Sequence, residues 1–145
     1  DDNNKIYTRP RLLPPSKFQN ILVDKSLISE GCILNGKEIK HSVIGIRSRI
    51  GDGTIIQNSY VMGNDYYQNI ETMNEDRESG KILVGIGERC FINNALIDKN
   101  CRIGNDVYIN GGSHLGDFSN ELYAIKEGIV VIKKGAVIPD NYIIK

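Results

Sequence analysis

The sequence predicts an all-β solenoid in which short parallel strands wind into stacked triangular coils. Three observations predict it: apolar residues recur every six positions, small residues follow them at fixed offsets, and isoleucine greatly outnumbers leucine. β-Branched side chains favour a pleated sheet, whereas glycine favours tight corners. A six-residue period fits neither a helical stripe nor simple strand alternation, but it fits a short strand followed by a corner.

The apolar period predicts three inward columns that form the core. Three units of about six residues return the chain to its start, so successive coils stack roughly 4.8 Å apart. The first predicted column holds Leu27, Ile44, Met62, Ile97, Ile125 and Ile143. The second holds Ile33, Ile50, Ile86, Ile103 and Val131, and the third holds Ile39, Ile56, Ile92, Ile109 and Val137.

Glycine directly follows several column residues, and we expect it there to supply a positive φ at a corner. These glycines are Gly45, Gly51, Gly63, Gly87 and Gly104. The pattern I-G-x4 is the hexapeptide signature of the left-handed parallel β-helix, and the chain is long enough for about five coils. The handedness is predicted from this signature and not from the spacing.

The three cysteines form an odd set without a C-x-x-C pair, which disfavours a zinc site or a disulfide framework. Cys90 and Cys101 occupy the small inward position four residues after a column residue. We therefore expect them to pack in the core. Cys32 is expected to point outward.

Two excursions and one extended segment interrupt the repeat. The excursions cover about residues 64–81 and 110–123, and the first is acidic, with a short helix predicted to begin within residues 66–70. Residues 1–22 contain a proline-rich stretch, which predicts an extended strap connecting to another domain. The β-helix domain is then residues 23–145.

Charge and composition exclude several classes of function. The 145 residues carry 18 basic and 18 acidic side chains, which argues against a general nucleic-acid or anionic-membrane partner. There is no apolar stretch long enough to span a bilayer. Two histidines cannot supply a three-histidine metal site, so we predict no metal. No glycine-rich phosphate loop is present, and we predict no catalytic residue in this chain.

Cationic side chains at predicted outward corners are the best binding candidates. Guanidinium and ammonium groups suit a small phosphate ester. The candidates are Arg47, Arg49, Lys99, Lys133 and Lys134 on the coils, with Arg9 and Arg11 on the strap. The columns place Lys99 and Lys134 at different corners unless the second excursion resets the phase. A free-standing acyltransferase with His114 as general base is the alternative function.

Six segments in order resemble the C-terminal domain of glucose-1-phosphate adenylyltransferase, also called ADP-glucose pyrophosphorylase, with the plant and cyanobacterial type most similar. They are residues 6–17, 41–50, 62–67, 84–87, 97–100 and 128–139. Three of them carry the site residues that the resemblance implies: Y-T-R-P-R-L-L-P-P in the strap, I-D-K-N at 97–100 and G-I-V-V-I-K-K at 128–134. The specificity lies in the ordered set, since each segment alone is weak. Together they cover nearly the whole chain.

The resemblance implies an allosteric and oligomerisation domain. The family makes ADP-glucose from glucose 1-phosphate and ATP, with Mg²⁺, for starch or glycogen biosynthesis. ATP and Mg²⁺ belong to an N-terminal nucleotidyltransferase domain that is absent from these residues, so no cofactor is expected here and the chain alone should be inactive. The implied partners are that domain, the other subunits of a homo- or heterotetramer, and small anionic effectors. The implied compartment is the cytoplasm, or the plastid for a plant or alga.

The effectors implied by the family are a 3-phosphoglycerate-like activator and inorganic phosphate as an inhibitor. The resemblance places the two effector lysines at Lys99 and Lys134, and the phosphate-contacting arginine at Arg11. Arg9, Lys133, Arg47 and Arg49 are further contributors. A nucleotidyltransferase domain upstream would favour this function over the acyltransferase.

Overall fold

The computed structural model describes residues 15–145, which form short strands and one helix. The strands of the first half are β1 (Lys17–Phe18), β2 (Leu22–Asp24), β3 (Leu27–Ile28), β4 (Ile33–Leu34), β5 (Glu38–Lys40), β6 (Val43–Ile44), β7 (Arg49–Ile50), β8 (Ile55–Gln57) and β9 (Tyr60–Val61). After α1 (Ile70–Glu78) come β10 (Gly85–Ile86), β11 (Phe91–Asn93), β12 (Ala95–Ile97), β13 (Arg102–Ile103), β14 (Tyr108–Asn110), β15 (Phe118–Ser119), β16 (Tyr123–Lys126), β17 (Ile129–Ile132), β18 (Val137–Ile138) and β19 (Ile143–Ile144).

Every third strand of the coils falls in the same sheet, so the chain has three faces. Face A contains β1, β4, β7, β10, β13 and β18, in that order. Face B contains β2, β5, β8, β11, β14 and β19, and face C contains β3, β6, β9, β12 and β17, extended by β16 and β15. All pairs between coils are parallel, which confirms the predicted parallel β-helix.

Aligned inward side chains fill the space between the three faces. The face A column is Leu34, Ile50, Ile86, Ile103 and Ile138, with each residue paired to the next. The face B column is Ile39, Ile56, Ile92, Ile109 and Ile144, and the face C column is Ile28, Ile44, Val61, Ile97 and Ile132. Apart from the half-buried Ile28 in the first coil, all of these residues are buried.

Six predicted column residues are wrong by one position. Leu27, Ile33, Met62, Val131, Val137 and Ile143 are exposed or half-buried, and an adjacent apolar residue takes the inward position in each case. The last three are also assigned to the wrong column, because β17 lies in face C, β18 in face A and β19 in face B. Leu27, for example, is 71% exposed while Ile28 turns inward. Because both residues of these pairs are apolar, a six-residue spacing fits either one, whereas strand alternation allows only one to face the core. Ile125 is buried, but it lies in β16 and not in a coil.

The glycines after the column residues are needed for a different reason from the predicted one. Of the five, only Gly63 has a positive φ, of 91°. At Gly45 a Cβ atom would lie 2.2 Å from the carbonyl oxygen of Met62 in the next coil, and at Gly104 it would lie 2.8 Å from the backbone nitrogen of Asp140. These positions therefore require glycine because the backbones of successive coils approach closely there.

Non-glycine residues supply much of the left-handed backbone at the corners. Arg47, Asn100 and Asp106 have φ values between 57° and 63°, and several other asparagines behave alike. Asparagine and aspartate tolerate this region because their short polar side chains bond locally.

Asparagine side chains also form a hydrogen-bond ladder across successive coils. Asn58 Nδ2 donates to Asn93 Oδ1 at 3.0 Å, and Asn93 Nδ2 donates to Asn110 Oδ1 at 2.9 Å.

The coils begin inside the predicted strap. Lys17 and Gln19 donate backbone N–H groups to Cys32 and Leu34 at 2.8 and 3.0 Å. The segment that follows the prolines is therefore the first strand of face A, and residues 15–16 are the only described part of the strap that precedes it.

The first excursion leaves after β9, returns at β10 and contains α1. The helix begins at Ile70, where the Asn69 side chain caps it by accepting from Thr72 N at 2.7 Å. The start lies at the end of the predicted range of residues 66–70, because the Asn69 cap sets the boundary. Within residues 15–145 no helix is long and apolar enough to cross a bilayer.

A partly buried ion pair holds α1 against face A. Arg102 Nη1 donates to Asp76 Oδ2 at 2.9 Å and to Ile82 O at 2.7 Å, and Asp76 is only 8% exposed. Gln68 bridges the same carboxylate to the Val84 N–H, with distances of 2.7 and 2.9 Å. The Arg102 hydrogen bond, followed by that from Gln68, holds the pKa of Asp76 below its usual range.

The second excursion leaves after β14 and forms an antiparallel hairpin. Strand β16 pairs with both β15 and β17, so the excursion widens face C. It therefore extends beyond the predicted limit of residue 123, to the return of the chain at β17.

The column register predicts opposite results for two neighbouring substitutions. Ile138 is 0% exposed and Val137 is 46% exposed. We expect Ile138→Ala to lower the free energy of unfolding by about 2–5 kcal/mol, because it removes buried methyl groups and leaves a cavity. Val137→Ala should change it by less than about 0.5 kcal/mol. Urea denaturation measures both, and equal losses would contradict the register.

The Asp76 ion pair predicts a pH-dependent effect on stability. Its folded-state pKa is lowered, so its contribution is complete above the unfolded pKa of about 4 and is lost as pH falls through the folded value. Asp76→Asn should therefore lower the melting temperature at pH 7, and the difference from wild type should shrink below about pH 4. A difference that stays constant down to pH 2 would contradict this.

Candidate anion-binding site

The corner that leads from face C to face A stacks two lysines from successive coils. Gly135 N donates to Lys99 O at 2.9 Å, which places Lys134 and Lys99 at equivalent turn positions. The same ladder continues through Asn100 N to Gly63 O at 3.2 Å. Since coils are roughly 4.8 Å apart, the two lysine side chains leave the backbone at neighbouring positions on one edge.

The second excursion resets the phase of the repeat, which removes the separation implied by the predicted columns. Strand β17 pairs with β12 in face C, with Ile132 beside Ile97. The predicted columns instead grouped Val131 with Ile103 of face A. Lys134 therefore follows Ile132 as Lys99 follows Ile97, two residues after the inward isoleucine in both coils.

Asp65, from the start of the first excursion, lies against this corner. Lys99 Nζ donates to Asp65 Oδ1 at 3.1 Å, and Asn100 Nδ2 donates to Asp65 Oδ2 at 3.0 Å. Asp65 N in turn donates to Asn100 Oδ1 at 2.9 Å. The hydrogen bonds from Asn100 and Lys99, with the charges of Lys99 and Lys134, lower the pKa of Asp65.

Sequence reasoning missed Asp65 and Asn100. The strand register could have revealed them. Because Val61 faces inward, Gly63 and Asn64 lie at the corner one coil before Lys99 and Asn100. Asp65 follows Asn64 directly, so it also lies at this corner. The predicted column through Met62 displaces this alignment by one residue, so the neighbourhood could not be read from the spacing.

Arg47 lies on the same corner but nearer the N-terminal coils. Its backbone N–H donates to Glu30 O at 3.2 Å, and its guanidinium donates to Asn64 O at 3.3 Å. The guanidinium also lies 5.7 Å from the centre of the Tyr67 ring, a cation–π contact. Arg47 therefore holds the start of the first excursion, with the coil of Gly63 between it and Lys99.

Two other predicted cations are turned away from the lysine pair. Lys133 Nζ donates to Asn120 O at 2.5 Å and so fastens the hairpin excursion. Arg49 Nε donates to Val84 O at 2.9 Å on face A. Desolvation, followed by the charge of Arg77, lowers the pKa of Arg49. Arg9 and Arg11 lie outside the described residues.

His114 is the candidate general base of the alternative acyltransferase function. His114 is exposed in the second excursion, and no hydrogen bond within residues 15–145 orients its ring. The same residues contain no cluster of His, Cys, Asp and Glu that would hold a metal ion. No described contact therefore prepares His114 as the general base of an acyltransferase.

The three cysteines are free and buried, and each points inward. The prediction for Cys32 is wrong: it is 1% exposed, and its thiol donates to Gly45 O at 3.2 Å. Cys90 and Cys101 make equivalent contacts with the backbone of the next coil. Burial raises the pKa of all three thiols, that of Cys101 to about 11, which keeps them protonated and poorly nucleophilic.

Stacked parallel coils with isoleucine columns define a hexapeptide-repeat protein of the parallel β-helix class, here with a cationic corner. A family model described as the GLGC left-handed parallel beta-helix domain matches residues 11–143. The chain belongs to this family, the C-terminal domain of ADP-glucose pyrophosphorylase-like proteins. The match covers most of the 145 residues and fixes the hand of the helix as left.

The buried thiols predict a simple chemical result. In the native protein none of the three cysteines should react rapidly with a disulfide reagent such as Ellman's reagent at pH 8, because each thiol is protonated and enclosed. In guanidinium chloride all three should react, which is the control for free thiols. Rapid release of even one equivalent from the native protein would contradict the inward placement.

Proposed function

We propose that this chain is the allosteric and oligomerisation domain of a glucose-1-phosphate adenylyltransferase. In that role it binds small phosphorylated effectors at the corner that carries Lys99 and Lys134. The nucleotidyltransferase domain, with ATP and Mg²⁺, carries out ADP-glucose synthesis for starch or glycogen. The plant or cyanobacterial type, with 3-phosphoglycerate as activator and phosphate as inhibitor, is part of this proposal.

The observation that carries the proposal is the register of the two lysines. Lys99 and Lys134 come from segments 35 positions apart, yet the backbone bond from Gly135 to Lys99 aligns them on adjacent coils. Two ammonium groups at that spacing can share the oxygens of one phosphate, and charge-assisted hydrogen bonds of this kind are strong. Lys134 is exposed and makes no ion pair within residues 15–145, so it is available to a ligand.

In this proposal the strap connects the corner to the rest of the enzyme. The residues before β1 include Arg9 and Arg11, and an effector held by Arg11 and the two lysines would tie the strap to the coils. Such a tie favours one arrangement of the neighbouring domain over another. Coupling of this kind between sites is worth about 1–3 kcal/mol in general, which is enough for regulation.

Exposed apolar residues on face C support a role in assembly. The outward ladder of that face runs through Leu27, Val43, Tyr60, Leu96 and Val131. Leu27 is 71% exposed and Tyr60 is 48% exposed. Contiguous apolar surface of this kind marks a contact with another protein surface, here the catalytic domain or another subunit of a homo- or heterotetramer.

The effector assignment predicts the result of two lysine substitutions. Lys99→Ala and Lys134→Ala should each weaken binding of inorganic phosphate and of 3-phosphoglycerate to the chain by roughly tenfold, since a hydrogen bond to a charged group is lost. Titration followed by ¹⁵N–¹H spectra measures this. In the full-length enzyme the same changes should raise the activator concentration needed and leave unactivated turnover nearly unchanged.

Lys126→Ala is the matched control, because Lys126 is a surface lysine on the hairpin whose side chain is 75% exposed. It removes the same charge without touching the corner and should bind phosphate as the wild type does. Equal affinity in Lys99→Ala, Lys134→Ala and wild type would reject the site. Loss of affinity in the Lys126 control as well would mean that binding follows net charge only.

A further inference from the structure

We propose that the Asp65 carboxylate is a built-in competitor at the effector corner, and that an anion bound there displaces it from Lys99. This inference rests on the proposed function, since it concerns how the same corner is regulated. The ligand class that it favours is a dianionic oxyanion, such as a phosphate monoester. The displaced group is the first carboxylate of an excursion, so binding at the corner also changes the contacts that hold that excursion.

Asp65 makes the contacts that a bound oxyanion would make. One oxygen accepts from Lys99 Nζ at 3.1 Å and the other from Asn100 Nδ2 at 3.0 Å. A phosphate that bridges Lys99 and Lys134 needs the first of these donors. An incoming anion must therefore take the place of the carboxylate or bind beside its negative charge, and both lower the affinity.

The competitor is held weakly enough to be displaced. The side chains of Asp65 and Lys99 are 49% and 40% exposed, and solvent-exposed ion pairs contribute little to stability. A dianion interacts with two lysines at once, whereas the single charge of Asp65 bonds only one of them. The corner therefore discriminates against monoanions, which gain no advantage over the internal carboxylate.

The position of Asp65 in the chain connects the corner to the first excursion. Its backbone N–H is also bound to Asn100 Oδ1 at 2.9 Å. Beyond it, the hydroxyl of Tyr67 donates to Gly31 O at 3.1 Å, and Gln68 is fixed by the Asp76 ion pair. Displacement of Asp65 is thus limited to the two residues before the Tyr67 anchor, so the effect is local.

Removal of one charge tests the competition directly. Asp65→Asn keeps the shape and the hydrogen bond with Asn100 but frees Lys99. We expect this variant to bind inorganic phosphate roughly fivefold more tightly than the wild-type chain, the gain that an exposed ion pair at the upper end of its usual strength implies. Isothermal titration at constant ionic strength measures both affinities.

Asp106→Asn is the matched control. Asp106 accepts from Arg89 Nε at 2.9 Å at another corner, so the substitution also removes one carboxylate from one surface cation. Its phosphate affinity should equal that of the wild type. An equal gain in the two variants would overturn the inference, because the effect would then follow net charge.

The outcomes separate this inference from the proposed function. If wild type and Asp65→Asn bind phosphate equally, or if the variant binds more weakly, Asp65 is not a competitor, while the effector corner stands. If no variant binds phosphate, the corner is not an effector site and both proposals fail. Binding by the variant alone would be the strongest support for both.

A second measurement needs no substitution. During phosphate titration of the wild-type chain, the side-chain amide signals of Asn100 and the backbone amide signal of Asp65 should shift together with the Lys99 ammonium signal. All three should give one dissociation constant, because one event breaks the shared contacts. A Lys99 signal that titrates while those of Asp65 and Asn100 stay fixed would overturn the inference.

Discussion

Hydrogen bonds between equivalent residues of successive coils determine where the side chains of the coil strands point. Each short strand pairs residue over residue with the strands above and below it, as Ile86 does with Ile50 and Ile103. Because side chains alternate across a strand, a shift of one residue would exchange the core for the surface. The isoleucine columns and the paired lysines therefore depend on the same alignment.

The sequence predicts the architecture well and the alignment less well. The hexapeptide period is sufficient for a parallel β-helix, and it correctly predicts inward residues such as Ile50, Ile86 and Ile103. It fails at Val131, Val137 and Ile143, since each is followed by another apolar residue and the hairpin before them hides the phase. At these positions, pairing with the adjacent strand determines which of two neighbouring apolar residues faces the core. The local sequence pattern contains no information about that pairing.

The candidate site was likewise only partly predictable, because its two lysines are visible in the local sequence but their proximity depends on pairing between distant strands. Lys99 and Lys134 are visible in the sequence as cations after a repeat, but their proximity depends on the pairing of β17 with β12. Asp65 is invisible as a site residue, because an excursion brings it to the corner. Turn positions at a corner carry side chains outward without disturbing the columns. Several charged side chains can therefore lie at one corner with little effect on the packing of the apolar core.

The asparagine ladder has a direction, and that direction bears on how such a chain can lengthen. Asn58 donates to Asn93, and Asn93 donates to Asn110, so the Asn93 amide presents an acceptor to the coil before it and a donor to the coil after it. A duplicate of the coil that contains Asn93, inserted beside the original, would therefore meet a matching acceptor and donor. Tandem duplication of such a coil-length segment would thus preserve the asparagine hydrogen bonds as well as the apolar columns.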